Sequence, residues 1–222
     1  MNFPHNKLVF LFLCGKQLIS IVLILLSNKR KVDIMAEIYV YHVVTEKPMK
    51  LGQIIIFDNN HYNGVYHRVM ACKDILDGNM PKDNFTKFIN SNLEYWKVRA
   101  YRELALEKVR KEKYPNYPSR MSCLYTSKTL LDAEMWANSF INSGRNVYQI
   151  VRLRADGRVF DGDAYNVFDG TDNAEENERN AIRYWSNKPN KSVKEQLIET
   201  LVAGNIEVVE IVKEFPQTGV FQ

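Results

Sequence analysis

The sequence predicts an α+β domain, and three observations carry that class. Ile38, Val40, His42 and Val44 alternate with Tyr39, Tyr41 and Val43, the two-residue period of a strand with both faces fairly apolar. The middle of the chain carries apolar residues at helical spacing. The closing run Ile206–Phe215 alternates again. Strands, then helices, then strands, without a regular strand–helix–strand repeat, argue for α+β rather than a parallel α/β sheet.

Taken in order, the first strand ends at Thr45-Glu46-Lys47-Pro48, because Pro48 has no N–H for a ladder. Leu51–Phe57 is a candidate second strand, and Asp58-Asn59-Asn60 and Asn63-Gly64 are turn chemistry. Phe85, Ile89, Leu93, Trp96, Ala100 and Leu104 form one apolar stripe, predicting a single long helix over Phe85–Lys113. Its far end, Glu103–Lys113, reads as a solvated face. Tyr114-Pro115-Asn116-Tyr117-Pro118 stops it as a stiff loop. The most informative stretch follows. In Arg120–Phe140 a short apolar run ends at Tyr125-Thr126-Ser127, and Ala133, Trp136, Ala137 and Phe140 then line one helix face. Ser127 or Thr129 serves as N-cap. Gly144-Arg145-Asn146 is a turn. Val147–Leu153 is a strand, which Ala155-Asp156-Gly157-Arg158 turns into Val159-Phe160. Asp161, Asp163 and Asp169 fall in an acidic loop, Glu175–Trp185 is a helix, and Ser192–Phe215 is the final unit.

The formal charge of +4 is unevenly spread. Residues 1–34 hold five of the 30 basic residues and one of the 26 acidic ones, so the remaining 188 positions carry 25 of each. Overall charge therefore gives no sign of nucleic-acid binding. Leu8–Leu26 is an apolar run interrupted by Gly15-Lys16-Gln17. A central lysine costs about 2.5–3.5 kcal/mol on insertion, and the 14 Leu, Ile, Val and Phe residues of the run return about 0.3–0.6 each. A membrane anchor is thus feasible, with Lys29-Arg30-Lys31 holding the following domain in the cytoplasm. The alternative is a mis-assigned start, since Met35-Ala36-Glu37 reads as an ordinary beginning directly ahead of a strand. Cys14, Cys72 and Cys123 show no paired spacing, which predicts no zinc site and fits a reducing, cytoplasmic compartment. Residues 35–222 read as one domain.

Chemistry-bearing residues are few. No G-x-S-x-G, G-x-G-x-x-G or P-loop is present, which argues against a triad hydrolase and against Rossmann or Walker nucleotide binding. Asp161, Asp163 and Asp169 lack the spacing of a calcium loop, and a solvated acidic loop is the simpler reading. His42 lies on an apolar strand, where core histidines are common, and His61 and His67 read as surface residues. Glu199 and Glu207 are the candidate catalytic carboxylates. Ser192-Val193-Lys194-Glu195 is a capping box and Gly204 a good helix stop, so propensity slightly favours placing Glu199 in a helix. The alternative makes Glu199-Thr200-Leu201-Val202 a strand start.

The order His42 in YHVVT, Tyr125 in CLYTS before a helix, and Glu199 in IETLV resembles the His–Tyr–Glu branch of the ADP-ribosyltransferase superfamily. YHVVTEKP and LGQ with PSRMSCLYTS are also similar to an uncharacterised bacterial and phage family known only as a domain of unknown function. The transferase resemblance implies a split, mostly antiparallel sheet with packed helices, and NAD as substrate without a metal. It implies that His42 bonds the adenosine-side ribose, that Tyr125 stacks on nicotinamide with Thr126 and Ser127 beside it, and that Glu199 bonds the nicotinamide ribose. Glu207 is the fallback carboxylate. Arg120 is placed to meet the pyrophosphate. The implied activity is transfer of ADP-ribose from NAD to an unknown protein or nucleic-acid acceptor, the alternative being a non-catalytic nucleotide- or peptide-binding module. A membrane is a partner only if residues 1–34 are a genuine anchor.

Overall fold

Two long strands form the spine of the domain. The computed structural model describes residues 37–58, 60–188 and 197–216. The apolar segment 1–34 and the Ser192–Glu195 capping box lie outside the described residues. Strand β1 (Ile38–Val44), β2 (Ile54–Phe57), β3 (Leu124–Thr126), β4 (Gln149–Asp163) and β5 (Ile198–Glu214) make one antiparallel sheet. β4 and β5 pair along their whole length, from Gln149 opposite Glu214 to Asp163 opposite Ile198. β1 lies on the outer edge of β4, while β2 and β3 share the outer edge of β5, one after the other along it. Tyr41 and Ser127 exchange two backbone hydrogen bonds of 2.8 Å, so β1 meets the chain just beyond β3. The two outer edges of the sheet therefore approach each other at one end.

The five helices among the described residues are α1 (Gly64–Leu76), α2 (Asn84–Ser91), α3 (Leu93–Lys113), α4 (Leu130–Asn142) and α5 (Ala174–Trp185). The α+β class and the mostly antiparallel sheet are as the sequence predicts. Among the described residues no helix is long and apolar enough to cross a membrane.

Five local expectations are corrected. Ala155–Arg158 is not a turn. β4 runs straight through it, because Gly157 faces Gly204 across the ladder. A Cβ on Gly157 would lie 1.9 Å from the Ala203 carbonyl oxygen, and one on Gly204 would lie 2.2 Å from that of Asp156. Gly204, at φ +127°, also holds a conformation that side-chain-bearing residues rarely adopt. Two turn-like dipeptides thus oppose each other in mid-sheet and let the backbones close up. Second, Asp161 and Asp163 end β4 rather than lying in a loop. Asp161 accepts from Thr200 at 2.8 Å and pairs with Lys128 at 2.5 Å. Third, the long helix breaks at Asn92 (φ −131°, ψ 41°). There Ser91 Oγ donates to the Phe88 carbonyl and Asn92 to Ser91, local bonds that compete with the helical ladder. Fourth, Asn63-Gly64 opens α1 rather than making an isolated turn. Asn63 Oδ1 caps the amides of Val65 and Tyr66 at 2.9 and 3.3 Å.

The fifth correction matters most for the site. The Glu103–Lys113 face is not solvated: Glu103, Leu106, Val109 and Arg110 are all buried. At Ala100 the buried stripe of α3 passes to Glu103 and leaves Leu104 exposed. Leu106 and Val109 pack with Phe160, Tyr184, Trp185 and Leu201 in the core between α3, α5 and the sheet. Trp185 Nε1 donates to the Leu106 carbonyl at 2.8 Å and locks α5 onto α3.

Candidate functional site

Where β1 and β3 meet, a cavity of about 730 Å³ opens between the sheet, α1 and α4. That volume is in the range of small-molecule and cofactor sites. Its wall includes His42 from β1, Tyr125, Thr126 and Ser127 from β3 and its end, Trp136 from α4, Asn63 and Arg68 around α1, and Glu199 from β5. Five of the sequence-predicted residues are thus brought to one place by three strands that are far apart in the chain.

His42 is fixed by the bridge between β1 and β3. Its Nδ1 lies 2.8 Å from the Tyr125 carbonyl, which can only accept, so Nδ1 carries the proton and Nε2 is the acceptor. Burial pushes its pKa below 6.5, although the Tyr125 carbonyl and Glu46 partly oppose the shift. The folded domain thus holds a neutral imidazole ready to accept an O–H. Because the unfolded chain takes the proton more readily, stability is full above about pH 6.5 and falls as the pH drops through the ordinary histidine range. Urea unfolding followed between pH 7.5 and 5 should show that loss, and His42→Asn should remove most of it. An equal pH dependence in parent and variant would exclude His42 as its source.

Tyr125 donates its hydroxyl to the Arg120 carbonyl at 3.0 Å, and burial pushes its pKa well up, so it remains a neutral ring in the wall. Thr126 donates to the Thr200 carbonyl at 2.8 Å and pins β3 to β5. Asn63 completes the junction: while its oxygen caps α1, its amide donates to the Arg120 and Cys123 carbonyls at 2.8 and 2.9 Å. Cys123 also borders the cavity, but burial raises its thiol far above the usual range and leaves it a poor nucleophile. Thr129 is the N-cap of α4, accepting from the Asp132 amide at 3.1 Å.

Glu199 is in β5, paired with Gly162 of β4, so the strand alternative holds and the helical one is overturned. Its side chain is 10% exposed. Tyr184 donates to Oε1 at 2.7 Å, and Arg120 Nη1 forms a close ion pair with the same oxygen. Between described residues, both bonds fall on Oε1. Arg120 is turned away from the cavity. Its Nε donates to Glu103 at 3.1 Å and its Nη1 to the Tyr184 hydroxyl at 2.7 Å. Burial works against the Arg120 charge, but the surrounding Glu199, Tyr125, Tyr184 and Glu103 hold its pKa well above the ordinary value. Glu103 in turn accepts from Arg102 at 3.0 Å. A chain of buried Glu103, Arg120, Tyr184 and Glu199, ending at the half-buried Arg102, therefore stands behind the cavity wall and orients the carboxylate in it.

Two predicted site residues are not brought to the cavity. Arg120, expected to meet a pyrophosphate, is committed to the buried chain. Glu207 lies farther along β5 and pairs with Arg154 at 2.5 Å on the partly exposed side of the sheet. Sequence reasoning missed Glu103, Tyr184 and Asn63. A charged residue in register with Ala100 on the apolar side of α3 was the available signal for Glu103, and tyrosine within the α5 stripe was the signal for Tyr184. Asp161, Asp163 and Asp169 do not converge. Among the described residues, no group of three or more His, Cys, Asp or Glu side chains could hold a metal.

Fold and cavity together define an α+β domain with a split-edge antiparallel sheet and a pocket built from a histidine, a tyrosine and a carboxylate. The chain belongs to the family described as "protein of unknown function (DUF2441)", which it matches over residues 40–214. That span contains every residue of the pocket and of the buried chain behind it. No curated protein matches the chain.

Proposed function

We propose that the domain transfers ADP-ribose from NAD to a macromolecular acceptor, a protein or a nucleic acid. The observation that carries this reading is the convergence of His42, Tyr125 and Glu199 on one cavity. Their order in the chain resembles the His–Tyr–Glu transferases, and that resemblance requires one cleft. A sheet that pointed His42 and Tyr125 into different compartments would have ended the idea.

In this reading His42 Nε2 accepts a ribose hydroxyl, which the tautomer set by the Tyr125 carbonyl allows. The Tyr125 ring forms a face for nicotinamide, with Thr126 and Ser127 at its edge. Glu199 lies beside the nicotinamide ribose and accepts its 2′-hydroxyl through Oε2, Oε1 being occupied by Arg120 and Tyr184. The C1′–N bond breaks with its electron pair going to the pyridinium nitrogen, so nicotinamide leaves neutral. Positive charge then develops at C1′, where a fixed, desolvated carboxylate lowers the barrier. The acceptor's nucleophile forms the new bond at C1′ and gives up its proton. The chain needs no metal and no covalent enzyme intermediate for this step.

One observation favours the rival reading of a binding module without turnover: the Arg120 ion pair offsets part of the Glu199 charge. The two readings separate in a single experiment on the full chain. NAD at a hundredfold excess over its Kd should stabilise the fold by about 2.7 kcal/mol. Nicotinamide should also be released when cell lysate is supplied as acceptor. Stabilisation without release would leave the binding module, and the absence of both would end the NAD reading.

A further inference from the structure

A second cavity of about 480 Å³ lies between α1 and α3 and is lined by four arginines: Arg68, Arg99, Arg102 and Arg145. A domain whose formal charge is balanced has gathered four guanidiniums around one small space. Their counter-charges are few. Arg102 is held by Glu103, which is already shared with Arg120. Arg68, Arg99 and Arg145 have no ion pair with any described carboxylate. Aromatic faces hold them instead: Arg99 lies 3.5 Å from the Tyr95 ring centroid and Arg68 5.8 Å from that of Trp96. Arg145 lies over the Phe140 ring at 4.2 Å and donates to Thr45 at 3.1 Å. Tyr95 is half exposed and meets Trp96 edge-on, the two centroids being 5.0 Å apart.

This combination has a specific chemistry. Guanidinium forks match phosphate oxygens two at a time, and an arginine already stacked on a ring loses little freedom when it binds. Rings interleaved with arginines are also what single-stranded nucleic acid and nucleotides stack upon. Apolar ligands would gain nothing from the three guanidiniums without an ion pair to a described carboxylate, and a metal cation would be repelled by them. We propose that this cavity binds a nucleotide phosphate, carried by a free mononucleotide or by a single strand of nucleic acid, with the base against Tyr95. Arg68 and Arg145 also border the larger cavity, so the bound phosphate lies next to the proposed NAD pocket. The binding site itself stands whether or not NAD is the ligand there.

The test is fluorescence anisotropy of a labelled single-stranded oligonucleotide with the full chain, across a salt series and with adenosine monophosphate as competitor. Saturable binding is expected. Arg99→Gln should weaken it about tenfold and lower the salt slope by about 0.7, the increment for neutralising one phosphate of a single strand. Arg99→Lys should keep the slope while binding more weakly, and it decides the matter if the glutamine variant does not fold. Displacement by the mononucleotide would identify a free nucleotide as sufficient. Displacement only by longer strands would identify nucleic acid as the source. Absence of saturable binding, unchanged affinity and slope in both variants, or displacement by NAD at its own Kd would each overturn the proposal. NAD-induced stabilisation is measured separately, so failure of the NAD reading leaves this result intact.

Discussion

Glu199→Gln should reduce nicotinamide release about 10²- to 10³-fold while leaving NAD-induced stabilisation largely in place. The variant keeps an oxygen for Tyr184 and Arg120, and Glu103 still accepts from the Arg120 guanidinium, so the domain should fold, at a cost in stability because Glu199 is the main counter-charge of Arg120. It removes the negative charge that would face the developing positive charge at C1′, and electrostatic groups of this kind are worth about 3–4 kcal/mol of barrier each. Glu207→Gln supplies the comparison. Glu207 pairs with Arg154 away from the cavity, an exposed ion pair that adds little to stability. Release should therefore continue at the parental rate. Loss in Glu207→Gln alone would move the carboxylate, and parental release by Glu199→Gln would remove Glu199 from the chemistry.

Much of this was legible because local periods and caps agreed with the fold. β1, the junction from β3 into α4, and α5 each carry a clean period with a cap or breaker, and each forms where the sequence places it. The failures share a physical cause, which is information that only a partner element holds. Gly157 and Gly204 both read as turns in isolation, and only their cross-strand pairing makes them a close approach of two strands. The first residues of β5 are buried on both faces, so Glu199 to Ala203 show no alternation and a helix could compete on propensity. α1 mixes polar and apolar residues without a sharp stripe, and its opening Asn63-Gly64 is as good a turn as a cap. The site was half legible for the same reason. His42, Tyr125 and Glu199 were found by order along the chain. What holds Glu199 comes from α3, α5 and the turn before β3, and no local pattern announces it.

Arg120→Met should be the most destabilising substitution in the domain's polar interior, costing about 3–5 kcal/mol in urea or guanidinium unfolding. The side chain is 8% exposed and joins Glu103 of α3, Tyr184 of α5 and Glu199 of β5. Methionine fills much of the same volume, so the loss measures charge rather than a cavity. Without the guanidinium, two carboxylates remain buried near one another, and among the described residues only Glu103 retains a cation, Arg102. Among the described residues, Glu199 is then left with the Tyr184 hydroxyl alone. Removing that second charge should recover part of the loss: the double variant Arg120→Met/Glu199→Gln should be more stable than Arg120→Met, an interaction of the size seen between directly contacting groups, about 0.5–3 kcal/mol. High salt should change the result little, because the pair is shielded from mobile ions, whereas the exposed Arg154–Glu207 pair should weaken. If Arg120→Met unfolds within about 0.5 kcal/mol of the parent, the chain of charges does not hold the three elements together. The orientation of Glu199 would then have to come from the β4–β5 ladder alone, and the binding-module reading would lose the ion pair that favours it.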